Sequence, residues 1–305
     1  MRARSLLHAT ALASVLALAW GPARGWGDDG HKIVCEMAVR LLTPDQQREV
    51  KTLVRAIARP DGQRYAHLAT ACTLADTARS KAREEAERGA TPAPWSRFAA
   101  MDRWHFVNLE RSARHVADGS CGDCVLDAIA FHRTRLHDRT LPLPVRGEAL
   151  ALLGHWVADV HQPLHVGYAD DRGGGGIDRL SGIYPEARHL HDVWDNGILA
   201  RGLAARGLRD WRAYANLLGR ELDPTVRARW EASEARAWAD ESYAIVTEEA
   251  FLYCRWEGGA CRALGRERRL DGAYQARFQP VAERRLQQAA VRLARMIAEA
   301  LRAAP

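Results

Sequence analysis

Beyond its first 25 residues the sequence has no long uninterrupted apolar run. That excludes an ordinary membrane-spanning helix, which needs about 20 such residues. There is no internal repeat and no low-complexity linker, so neither a solenoid nor a string of modules is expected. No second Cys-x-x-Cys accompanies Cys121-Gly-Asp-Cys124, which argues against a zinc knuckle. No Gly-Lys-Ser/Thr follows the tetraglycine Gly173–Gly176, which excludes a P-loop. Nor is there a large excess of charge of one sign. The 305 residues hold 44 Lys and Arg against 38 Asp and Glu, and removing Arg2, Arg4 and Arg24 leaves 41 basic side chains. A net charge of about +3 gives no bulk affinity for nucleic acid. Any attraction for phosphate must be local.

What is present begins with a leader. Arg2 and Arg4 precede an apolar run from Leu6 to Ala19, and Ala23-Arg24-Gly25 follows as a small-x-small cleavage signature. Residues 1–25 are expected to be a secretory signal peptide, and residues 26–305 one exported domain starting at Trp26. A soluble monomer, secreted or periplasmic and without a membrane anchor, is expected. All six cysteines lie after residue 25. In an exported chain an even number favours disulfides. Cys121–Cys124 and Cys254–Cys261 each close a short Gly-containing loop, which leaves Cys35 for Cys72.

Apolar periodicity predicts an all-α domain with a small β-hairpin at the rim of its site. Helices are expected over about 29–42, 44–58, 65–88, 123–137, 145–162, 223–254 and 280–301. Thr43-Pro44-Asp45-Gln46 is a helix start with a capping box. Pro280 is expected to open the last helix, and 256–272 to be a loop. The glycine-rich stretch within 166–188 is expected to be the rim hairpin.

Chemistry concentrates in Leu152–His165, LLGHWVADVHQPLH. His155 and Asp159 are spaced i, i+4, on one face of a helix. Pro163 ends that helix, and His165 lies just beyond. HLHDVWDNGIL, from His189 to Leu199, offers His191 and Asp195 at the same spacing. Two His/Asp pairs suggest a polynuclear metal site. A free amine and carbonyl at Trp26 can chelate a metal once the amine is deprotonated, and His31 follows five residues later. Asp76, three residues before Arg79, and His105, in MDRWHFVNL, complete the set. Taken alone, Asp76–Arg79 reads as an ordinary surface pair and His105 as a core histidine. Imidazole and carboxylate ligands without thiolate suit zinc, and three ions are a natural number for nine ligand positions.

Together these motifs resemble the S1/P1 nuclease family of zinc-dependent single-strand nucleases and 3'-nucleotidases. They are Trp26-Gly27 with Gly30-His31, Ala75-Asp76 with Arg79, His105-Phe106, His155-x3-Asp159-x2-Gln162-Pro-Leu-His165, and Leu190-His191-x2-Trp194-Asp195. The resemblance covers the whole mature chain. It implies a phospholipase C/P1 nuclease-like helical fold and three zinc ions. One would be held by Asp76, His105, His155 and Asp159. A second would take Trp26, His31 and the shared Asp159, and a third His165, His191 and Asp195. It implies that hydroxide held between the paired ions attacks phosphorus, that Arg79 steadies the phosphate, and that the base stacks on Phe106. Single-stranded DNA and RNA would yield 5'-mononucleotides, and 3'-nucleotides would lose their phosphate. Asn108 stands where the fungal and plant pattern has Asp, and GGGGI where Gly-Gly-Asn is usual. A zinc-dependent phospholipase C is the alternative, since that group also starts with Trp. The five-residue step from Trp26 to His31 and the final ligand Asp195 fit the nuclease pattern; the phospholipases have a longer step and a final Glu.

Overall fold

Every residue from Ala149 to His161 is buried. A helix that is apolar nearly all round must be enclosed by others, and the fold is that enclosure. A computed structural model describes residues 26–118 and 121–302; the expected signal peptide lies outside them. The chain opens with α1 (Asp28–Arg40) and α2 (Pro44–Ala56). The Thr43 hydroxyl and Gln46 side chain close the expected capping box on α2. A single turn, α3 (Leu68–Ala71), leads to α4 (Leu74–Arg88). A 3-10 segment, Ser96–His105, and strand β1 (Val107–Leu109) follow. Next come α5 (Val125–His137) and the central helix α6 (Leu143–His161). The 3-10 turn Pro163–His165 runs into β2 (Val166–Tyr168), and β3 spans Arg179–Gly182. The turn α7 (Leu190–Asp192) continues through a π-helical stretch, Val193–Gly197, into α8 (Ile198–Ala205). Then come α9 (Trp211–Arg220), α10 (Pro224–Glu231), α11 (Ala235–Val246), β4 (Cys254–Glu257), β5 (Ala260–Ala263), β6 (Glu267–Leu270) and α12 (Gly272–Ala300).

Helices α1, α2, α5, α11 and α12 pack around α6. The protein is mainly helical, as expected, with three two-stranded sheets among the described residues. No described helix is long and apolar enough to cross a membrane. The three disulfides are the expected ones, Cys35–Cys72, Cys121–Cys124 and Cys254–Cys261. The first lies against α6 at Gly154, where a Cβ would come within 2.5 Å of Cys72 Sγ and 2.8 Å of Cys35 Sγ.

Five expectations need correction. The stretch 65–88 is not one helix, because it breaks at Cys72-Thr73. There the Cys72 carbonyl faces His155 Nδ1 at 2.7 Å. The glycine-rich stretch is not a hairpin. Its two strands pair in parallel with distant partners, β2 with β1 and β3 with β6. The hairpin is instead β4–β5, closed through Gly258-Gly259. That hairpin and β6 also replace the loop expected over 256–272. The helix expected over 223–254 is split between α10 and α11. At the break Ser233 donates to the Trp230 carbonyl and accepts from the Trp238 indole. Pro280 does not open α12 but sits inside it. Asp271 caps the true start, accepting from Ala273 and Tyr274 N–H. Tyr274, Phe278, Ala282 and Leu286 are buried on both sides of Pro280, and that burial outweighs the roughly 3 kcal/mol a helix-interior proline costs.

Candidate metal centre

Six chain segments deliver ionisable side chains to one buried place. The first turn of α1 brings His31, and the first turn of α4 brings Asp76. His105 ends the 3-10 segment, and α6 carries His155 and Asp159. Pro163 turns the chain so that His165 comes back toward α6. The π-helical stretch after α7 presents Asp195 beside His191. These eight side chains are between 0 and 3% exposed.

Asp159 lies at the centre. Its Oδ2 is 2.9 Å from His105 Nδ1 and 3.1 Å from His155 Nε2. Its Oδ1 faces His31 Nε2 at 3.5 Å and His165 Nδ1 at 3.4 Å. His105 Nδ1 is also 4.0 Å from Asp76 Oδ1. His191 Nε2 is 3.5 Å from Asp195 Oδ2, and His165 Nε2 is 4.0 Å from Asp195 Oδ1. The potential ligand atoms thus fall into three groups: His31, His155 and Asp159; Asp76, His105 and His155; His165, His191 and Asp195. Trp26 is fully buried just before α1. The next residue, Gly27, donates its N–H to the Asp195 carbonyl at 2.9 Å, which ties the start of the described chain to the third group.

Three of the histidines are oriented from behind. Nδ1 of His155, His165 and His191 lies 2.7 Å from the carbonyls of Cys72, His105 and Gly173 respectively. A carbonyl only accepts, so each Nδ1 carries a proton and Nε2 is the atom turned toward the site. Burial holds His31, His105 and His165 far below the ordinary imidazole range, helped by neighbouring imidazoles. Burial lowers His191 to about 4. Burial also raises Asp159 to about 6, against the pull of His155, and lifts Asp195 well above the carboxylate range. His155 alone is raised, to about 9, because the Asp159 carboxylate overcomes its burial. Both nitrogens of His31, Nε2 of His165, Oδ1 of Asp159 and Oδ2 of Asp195 are buried with no hydrogen-bond partner. Such orphaned atoms call for an explanation. A set of imidazoles and carboxylates, with no thiolate, fits divalent zinc.

A cleft of about 570 Å³ opens beside the third group, lined by Arg79, Phe106, Asn108 and His191 among others. The Phe106 ring is 4.7 Å from that of His165. The Arg79 guanidinium lies 5.8 Å from the Phe106 centroid, and its Nε is 2.7 Å from Asp102. Asn108 is exposed on β1, opposite Gly167 of β2. Buried imidazoles and carboxylates, a cationic side chain and a half-buried aromatic ring thus share one opening.

A model of the S1/P1 Nuclease family matches residues 26–302. The chain belongs to the S1/P1 nuclease family. Among its relatives in this family, Endonuclease 2 of Arabidopsis thaliana is 27% identical over 288 residues, 88% of each chain. Nuclease S1 of Aspergillus oryzae is 28% identical over 284 residues, 88% of this chain and 90% of that one. Nuclease P1 of Penicillium citrinum is 26% identical over 240 residues, 72% and 80% of the two chains.

Three contributors to this S1/P1 site were not picked out from the sequence. The Gln162 amide donates to Asp195 Oδ1 at 2.6 Å, while its carbonyl accepts from Leu164 N–H at 2.6 Å. It was visible inside the His155–His165 motif, but only as a residue between ligands. The Gly173 carbonyl holds His191, and no side-chain signal could have announced it. Asp102 anchors Arg79 across 23 residues, a long-range pairing with no local pattern.

Proposed function

We propose that this S1/P1 nuclease is an exported zinc enzyme. It hydrolyses phosphodiester bonds of single-stranded DNA and RNA to 5'-mononucleotides and removes 3'-phosphates from nucleotides. Asp76, His105, His155 and Asp159 would hold one ion. The amine and carbonyl of Trp26, freed by signal-peptide cleavage, would hold a second with His31 and the other oxygen of Asp159. His165, His191 and Asp195 would hold the third. Bound there, zinc supplies Lewis acidity and brings water to deprotonation near neutral pH. The observation that carries this reading is the set of orphaned, desolvated ligand atoms converging on Asp159. The family match, which starts at Trp26, supports it.

The chain's own groups do the rest. The Arg79 guanidinium, fixed by Asp102, meets the non-bridging phosphate oxygens and gains strength as charge builds on them. Phe106 offers a face to a base, and such stacking contributes about 1–3 kcal/mol with little sequence preference. A duplex hides its base faces, so single strands are favoured. Asn108 both donates and accepts at a base edge without adding charge.

The test is metal content and turnover of the purified protein starting at Trp26. Three zinc per chain are expected, with cleavage of single-stranded DNA, RNA and a 3'-mononucleotide. Three zinc with hydrolysis of phosphatidylcholine alone would move the assignment to a phospholipase C. One zinc or none, with no turnover, would end the reading.

A further inference from the structure

The cleft beside Phe106 carries a local excess of positive charge. Five arginines line it, Arg79, Arg83, Arg103, Arg172 and Arg188, against a single carboxylate, Asp102. They come from four segments: α4, the 3-10 segment, the glycine-rich loop and the approach to α7. No helical period puts them together; the fold does. Asp102 is shared between Arg79 at 2.7 Å and Arg83 at 2.8 Å. Arg188 pairs with Asp192 at 3.3 Å. Among the described residues, Arg103 and Arg172 have no ion-pair partner. The arginines also differ in depth. The Arg79 side chain is 15% exposed, while those of Arg83 and Arg188 are 43% and 47% exposed, and Arg103 and Arg172 are exposed as well.

One phosphate needs one clamp, and the inner Arg79 provides it. Four outer guanidiniums around the same opening exceed what a mononucleotide can use. We infer that Arg83, Arg103, Arg172 and Arg188 form a flanking-phosphate site. It binds the phosphodiesters next to the one being cut, so this enzyme favours oligonucleotides over mononucleotides in a salt-dependent way. The inference rests on the nuclease reading above for its substrate. Guanidinium–phosphate contacts displace counterions from a single strand, and each contributes about 0.7 to the slope of log affinity against log salt. Stacking on Phe106 contributes no such slope.

The experiment measures binding and cleavage separately. Zinc-loaded protein starting at Trp26 is titrated against labelled octathymidylate with phosphorothioate links, which keep the charges and resist cleavage. The probe is compared with the matching dinucleotide between 50 and 200 mM NaCl. The octamer is expected to show a steep slope and the dinucleotide a shallow one. R103A/R172A should flatten the octamer slope by about 1.4 and weaken binding roughly tenfold at 50 mM salt. R103A alone, with half that change in slope, covers the case in which the double variant fails to fold. Equal slopes for the two probes, or a variant with the wild-type slope, would overturn the inference. Cleavage of ordinary octathymidylate is assayed in parallel. A slope that responds to the variants in a protein that cuts no nucleotide would sink the nuclease reading and leave the phosphate site standing.

Discussion

The two oxygens of Asp159 face different histidines, Oδ1 toward His31 and His165 and Oδ2 toward His105 and His155. Asp159→Asn keeps the shape but replaces one oxygen with an amide that cannot ligate. Zinc content should drop from the proposed three per chain toward one, with turnover reduced by at least 100-fold, an order of magnitude seen for lost charge stabilisation. Metal analysis and circular dichroism check this, and an unchanged zinc content would show that Asp159 bridges nothing. A second residue sets a pH limit. Burial lowers His132 to about 4; its Nδ1 lies 2.8 Å from the Ala128 carbonyl and 3.1 Å from the Trp156 indole nitrogen, beside His155. Below pH about 6.5 an unfolded imidazole takes a proton that buried His132 refuses until about pH 4. The unfolded state therefore binds more protons in that window, and stability present above pH 6.5 is lost as pH falls toward 4. The loss from this one group is on the order of 3 kcal/mol. His132→Gln should flatten the pH dependence of the thermal midpoint between pH 4 and 6.5; parallel curves for the two proteins would refute the assignment.

At the scale of elements, the turn around Gly173 holds the third ligand group in place. Gly173 has φ +59°, and a Cβ there would run into the Leu164 carbonyl oxygen. The loop is pinned further by Asp171, whose Oδ1 accepts from Gly174 N–H at 3.0 Å and from the Tyr253 hydroxyl at 2.7 Å. Gly173→Ala adds a left-handed penalty of about 1–2 kcal/mol and moves the carbonyl away from His191. About one of the three proposed zinc ions should be lost per chain while the other two stay, and a variant with the zinc content of the parent would disprove the anchoring role. This element also shows the limit of reading from sequence. The i, i+4 pairs His155–Asp159 and His191–Asp195 were legible because a helix fixes their geometry locally. The same holds for the short disulfide loops and the Thr43 capping box. A tetraglycine says only that the backbone is permissive, not which carbonyl it will point where. The parallel pairing of β1 with β2 joins residues 59 positions apart, and such a register has no local signature. Pro280 misled because propensity is weaker than the burial of Tyr274 and Phe278 around it.

At the scale of the whole molecule, the chain start and the late π-helical stretch meet through the Gly27–Asp195 bond. One extra residue before Trp26 should acylate the proposed amine ligand, remove one zinc and most turnover, and leave the fold intact. Full turnover of an extended protein would rule that ligand out. The Cys35–Cys72 disulfide has a similar reach. It joins α1, which carries His31, to the turn whose carbonyl orients His155, and it lies against Gly154 of the central helix. That clamp closes only where thiols are oxidised. A chain whose thiols stay reduced therefore has its ligand side chains but lacks the brace that brings two of the segments into register. The redox state of this one bond thus bears on how well the metal centre is assembled.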